Sequence, residues 1–95
     1  LAAAQADLDM IPAEVAPALR AVTPEHLDIA RLADRTAAAG YPIVGLVEQL
    51  AAIVPDGLGQ YAHWGATTQD IMDTAAVLQI VAALDVIERD LLQTL

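Results

Sequence analysis

The stretch Thr67-Thr68-Gln69-Asp70-Ile71-Met72-Asp73-Thr74-Ala75-Ala76-Val77-Leu78-Gln79-Ile80-Val81-Ala82-Ala83-Leu84-Asp85-Val86-Ile87 decides the fold. Thr67 or Thr68 can cap a helix, and Asp70 then stands in its positively polarised first turn. From Ala75 to Ile87 the residues are apolar on nearly every side of a helical wheel, the pattern of a helix buried all round. Continued to Leu95, this helix has roughly 27 residues and a length of about 40 Å. The shorter helices before it cannot surround such a rod, so it reads as one member of a bundle completed by further chain or by other subunits.

Upstream, Pro and Gly punctuate the chain at helical intervals and β-branched runs are short, so the whole reads as all-α. Leu1 to Asp9 reads as the end of a helix, open to continuation upstream, and Met10-Ile11-Pro12 is the break. A short helix is expected from Pro12 or Ala13 to Val22, with Pro17 forcing either a later start or a kink. Thr23-Pro24-Glu25-His26 is a start signal for a helix running to about Ala39, with Gly40 ending it and Tyr41-Pro42 turning the chain. From Ile43 to Val54, Val44, Val47, Leu50, Ala51 and Val54 form an apolar face, with Glu48 and Gln49 assigned to the other side. Pro55-Asp56-Gly57 closes that helix, and Leu58 to Thr67 is a glycine-bearing loop. No linker separates two independent cores.

Composition sharpens the point about missing partners. The 95 residues are 57% hydrophobic, with a mean hydropathy of +0.50, whereas a chain this short buries only about 60–65% of its unfolded surface. Disorder is excluded by that hydrophobicity. A membrane span is excluded because the longest apolar stretch, Ala75 to Leu84, contains Gln79 and is bounded by Asp73 and Asp85, short of the roughly 20 residues required. The N-terminus lacks a basic region and is interrupted by Gln5, Asp7 and Asp9, so it does not read as a signal peptide. Leu1 in place of Met reads as a processed, trimmed or excised product. Thirteen acidic residues stand against four arginines, giving a net charge of −9. Arg20, Arg31, Arg35 and Arg89 are scattered, which disfavours nucleic acid and anionic lipid as partners. The absence of cysteine removes disulfides and thiolate metal sites. An acidic helical carrier protein is also excluded, because its attachment motif needs a serine and the chain has none.

Chemistry concentrates in Tyr61-Ala62-His63-Trp64-Gly65-Ala66-Thr67-Thr68-Gln69-Asp70. A loop entering a helix N-terminus offers free backbone N–H groups and the positive end of the dipole, an arrangement suited to anions. Thr67 and Thr68 add hydroxyls, Gly65 permits close backbone approach, and His63 can donate to a carboxylate or move a proton near neutral pH. Helix architecture accounts for the same residues differently: Thr68 as N-cap, Gly65 as a turn, Trp64 as a hydrophobic staple and His63 as a satisfied loop side chain. Asp70 and Asp73 lie three apart but lack further ligands, so no metal site is assigned. His26, between Glu25 and Asp28, reads as surface, and Tyr41 and Tyr61 as packing beside turns.

The run from His63 to Ala75 resembles the first signature region of the fumarase/aspartase superfamily, which commonly reads His-x-Gly-x-Thr-Ser-x-Asp-x-x-Asp-Thr. Its Gly65-Ala66-Thr67-x-Gln69-Asp70-x-Met72-Asp73-Thr74 form is more similar to the 3-carboxy-cis,cis-muconate cycloisomerases than to the adenylosuccinate lyases, the next branch. Gln5-Ala6-Asp7-Leu8 before Ile11-Pro12, Ala37-Ala38-Ala39-Gly40-Tyr41-Pro42 and Val77-Leu78-Gln79 resemble the same N-terminal region, so the likeness spans most of the chain. Thr68 departs from the pattern's usual serine, keeping the hydroxyl while adding a β-branch. The superfamily's Gly-Ser-Ser-x-x-Met-Pro-x-Lys-x-Asn loop does not occur in these 95 residues.

The resemblance implies an N-terminal fragment of a larger cytoplasmic enzyme: residues 1–66 an N-terminal helical domain, and 67–95 the signature loop and start of a central bundle helix. It implies β-elimination or lactonisation of a small polycarboxylate, in aromatic catabolism for the cycloisomerase branch, without cofactor or metal. By motif position it makes His63 a catalytic residue, substrate-contacting and able to transfer a proton, and makes Thr67, Thr68 and Gln69 substrate-binding. It further implies homotetramers whose sites combine loops from several subunits, so the fragment alone should be inactive. The alternative from another class is a non-catalytic helical oligomerisation module.

Overall fold

The computed structural model describes residues 1–94 as five α-helices and two 3₁₀ turns, with no strand among the described residues. Helix α1 (Ala2–Asp7) ends in a turn where Asp9 takes φ +55. The chain then drops Ile11 into the interior. Helix α2 (Val15–Arg20) starts later than Pro12, which resolves the choice posed by Pro17: the proline is the third helical residue, where its missing N–H has no intrahelical acceptor to lose. Val15 is fully buried at the centre of a small core shared with Ile11, Ala16, Ile43, Val54 and Ala62.

The expected helix from Pro24 to Ala39 is broken. Pro24–His26 forms only a 3₁₀ turn, Leu27 is extended, and the chain restarts as α3 (Ile29–Ala39). The cause is a second cap inside the expected helix. The Asp28 carboxylate accepts from the Arg31 N–H at 2.9 Å. From the neighbouring helix, the Gln49 amide accepts from the Asp28 N–H at 2.8 Å and donates to the Asp28 carbonyl at 2.9 Å. Thr23 and His26 do form a capping box over the short turn, His26 Nδ1 accepting from the Thr23 N–H at 3.0 Å. Gly40 ends α3 at φ +85, as its position requires.

Helix α4 (Ile43–Ile53) runs back against α3. Here the apolar-face assignment needs correcting. Ile43 and Val54 are buried and Val44, Val47 and Leu50 half-buried, while Ala51 is exposed. Gln49, assigned outward, is buried at 7% exposure because its amide is spent on Asp28. Glu48 does point outward, where it pairs with Arg35 of α3, the guanidinium Nε donating at 2.9 Å. That hydrogen bond holds the Glu48 carboxyl below its ordinary range and raises Arg35. The second 3₁₀ turn (Leu58–Tyr61) lies against the α4 backbone so closely that a Cβ on Gly59 would come within 2.5 Å of the Ala51 carbonyl oxygen.

Helix α5 (Thr68–Thr94) has 27 residues, and the end expected at Leu95 lies outside the described residues. It contacts α4 near its start, then leaves the body: from Met72 to Thr94 every residue is exposed. Val77, Leu78, Ile80, Val81, Leu84, Ile87, Leu91 and Leu92 are among them. The molecule is accordingly drawn out to 54 × 35 × 24 Å. No helix among the described residues is long and apolar enough to cross a membrane.

Candidate active site

Three elements meet at the loop between the second 3₁₀ turn and α5. The loop folds by local hydrogen bonds, the Trp64 N–H donating to the Tyr61 carbonyl and the Ala66 N–H to the His63 carbonyl, each at 3.2 Å. The turn requires φ +65 at His63 and φ +73 at Gly65. For histidine that region carries strain of about 1 kcal/mol or more, tolerated only where surrounding structure dictates it. Part of that structure comes from α1: the Gln5 side-chain amide donates to the Trp64 carbonyl at 2.9 Å, across 59 residues of sequence.

His63 stands between two hollows. The first, of about 160 Å³, has Gln5, Ile43, Leu50, Tyr61 and Ile71 among its walls. The second, of about 230 Å³, is shared by His63 and Thr68 with Val44, Val47 and Glu48. His63 Nε2 is buried and has no hydrogen-bond partner within the chain. A buried imidazole nitrogen left unpaired costs free energy, so its retention asks for a ligand or a role.

The cap of α5 falls on Thr67. Its N–H and its hydroxyl both donate to Asp70 Oδ2, at 2.7 and 2.9 Å, and the Asp70 N–H approaches Thr67 Oγ1 at 3.4 Å. These bonds hold the Asp70 carboxyl below its ordinary range: the Thr67 backbone N–H contributes most, then its hydroxyl, with His63 assisting through its charge. Gln69 Nε2 donates to Asp73, and Thr74 Oγ1 donates to the Asp70 carbonyl at 2.6 Å.

The four residues singled out by sequence therefore divide. His63 and Thr68 line one hollow, whereas Thr67 and Gln69 are exposed, with their donors engaged by Asp70 and Asp73. The purely architectural account is amended at three points. Thr67, not Thr68, is the cap. Trp64 is 47% exposed and sits edge-on to Tyr61, ring centroids 5.9 Å apart, rather than stapling α5. His63 is not satisfied. Sequence reasoning gave no individual role to Gln5 or to Glu48 in the walls. The available signal for Gln5 was a lone long polar side chain among Ala2, Ala3, Ala4 and Ala6. None of the four arginines lines either hollow.

No protein-family model matches the chain. It is 46% identical over 92 residues to trans-aconitate decarboxylase 1 of Mycosarcoma maydis, covering 96% of this chain and 19% of that protein. It is 38% identical over 99 residues to the 3-carboxy-cis,cis-muconate cycloisomerase of Acinetobacter baylyi, covering 98% and 22%. A crystal structure of fumarate lyase from Mesorhizobium sp. BNC1 superposes with a TM-score of 0.79 at 50% identity, over 90% of this chain and 20% of that one. The chain thus spans about one fifth of the length of the curated relatives it matches. Their similarity joins the all-helical architecture and the His63–Thr74 signature into one conclusion: in sequence and in fold, this chain is homologous to the fumarase/aspartase superfamily.

Proposed function

We propose that the chain is the N-terminal part of a cofactor-independent enzyme that lactonises, or eliminates from, a small polycarboxylate. The cycloisomerase of 3-carboxy-cis,cis-muconate is the favoured branch and an adenylosuccinate lyase-like enzyme the runner-up. The observation that carries the reading is His63, strained in its backbone, with Nε2 buried and unpaired, beside the Thr68 hydroxyl at one hollow. In this reading the Thr68 hydroxyl and the first N–H groups of α5 receive a substrate carboxylate, Thr67 and Gln69 join when substrate displaces their acidic partners, and His63 moves the proton. Two relatives support the substrate class, because trans-aconitate and 3-carboxy-cis,cis-muconate are both unsaturated tricarboxylates.

The charge balance favours an assembled site. A tricarboxylate needs cations, and no arginine of this chain lines the hollows beside His63. A cytoplasmic homotetramer with α5 in a shared central bundle would supply them from other loops and would cover the exposed apolar length of α5. A non-catalytic association module would explain α5 equally well, but leaves the unpaired His63 Nε2 without a purpose.

The test is kinetic. The purified gene product should turn over 3-carboxy-cis,cis-muconate, and His63→Ala should lower kcat/KM by about 10²–10⁴-fold, the usual contribution of a positioned acid or base. Thr68→Ala should raise KM, as loss of a carboxylate donor does. Wild-type kcat/KM in both variants would refute the site, and turnover of adenylosuccinate alone would reverse the order of the two branches.

A further inference from the structure

Gln5 belongs to α1, far from the signature in sequence, yet it is 93% buried against the signature loop, its exposure being 7%. Its Nε2 donates to the Trp64 carbonyl at 2.9 Å, the peptide oxygen between the two left-handed residues His63 and Gly65. The same nitrogen lies where it limits Gly65, since a Cβ there would come within 3.3 Å of it. Its other amide atom, Oε1, is buried without a partner in the chain, as is His63 Nε2, and both residues wall the cavity of about 160 Å³. A side chain serving packing alone would be apolar in such a place, because each buried unpaired polar atom costs roughly 1–3 kcal/mol.

We infer that Gln5 is a positioning residue for His63: it fixes the strained turn through the Trp64 carbonyl and presents an amide oxygen to the cavity that His63 also lines. The inference rests on the catalytic role proposed for His63. Groups that orient a reacting side chain in this way typically change rates by about 10–100-fold when removed, because small misplacements of the reacting atom are costly.

The experiment is a double-mutant cycle in the full gene product, with Gln5→Met, which keeps side-chain length and burial but removes both amide functions, and His63→Asn. Gln5→Met alone should lower kcat about 10–100-fold with KM changed less than about threefold, and should have no further effect in the His63→Asn background. Equal losses in both backgrounds would show a structural role only and overturn the inference, as would unchanged kcat. Gln5→Glu serves in the same cycle if Gln5→Met does not fold: it keeps the acceptor but loses the donor to Trp64, and the same loss, absent beside His63→Asn, is expected. If His63→Asn itself keeps wild-type kcat, the functional reading fails, and the inference with it. If His63→Asn is impaired and both Gln5 variants are not, only the inference fails.

Discussion

His63 at φ +65 and Gly65 at φ +73 place the Trp64 carbonyl between two left-handed residues, where Gln5 takes it. Two residues later, Thr67 and Asp70 lock the first turn of α5 through three mutual hydrogen bonds. Asp70 gives this lock a pH dependence. Its folded carboxyl titrates below the unfolded aspartate value of about 3.9, so the stabilisation is present above that value and is lost as pH falls through the lower folded one. Acid titration followed by far-UV circular dichroism should show wild type the more stable at neutral pH and converging with Asp70→Asn as the pH falls below the unfolded aspartate range; a constant difference at all pH values would contradict the assignment. At this scale residue type alone was enough to single out His63 and Thr68, which line one hollow. It was a poor one for Gln5 and Gln49, whose partners are backbone atoms 59 and 21 residues away. Such bonds leave no trace in local periodicity.

Helix α3 shows how a tertiary bond overrides a local start signal. Thr23-Pro24-Glu25 opens only a 3₁₀ turn, Asp28 caps the α-helix that follows, and the Gln49 amide holds both backbone groups of Asp28 at the break. Replacing Gln49 with Leu leaves those groups without their partner and should cost about 1–3 kcal/mol. Urea unfolding of the gene product reads that cost, and an unchanged midpoint would mean that solvent replaces Gln49. Helix α5 is the opposite case. Its start and its all-round apolar pattern were legible because twenty-seven residues of one element average out single exceptions. The Arg35–Glu48 pair across α3 and α4 was not, since neither residue sits at a position that periodicity distinguishes from ordinary solvent-facing charge.

Over the whole molecule, the excess of apolar residues has a definite address. The body formed by α1 to α4 buries a small core around Val15, and most of the exposed large apolar side chains lie along α5 from Met72 onward, the others being Leu1, Leu8, Met10, Ile29, Tyr41 and Trp64. The net charge of −9 has an equally definite consequence, because the site beside His63 holds Glu48 in its wall and no arginine. Both imbalances are met by one account, in which this chain contributes a helix to a bundle and a loop to a shared carboxylate site. A crystal structure of the gene product with a bound unsaturated tricarboxylate tests that account most directly. It predicts a carboxylate within hydrogen-bond distance of Thr68 and the α5 N-terminus, His63 at the reacting carbon skeleton, cations donated by other segments or subunits, and the apolar length of α5 enclosed by helices. A ligand bound elsewhere, with the His63–Gln69 loop facing away from it, would contradict it.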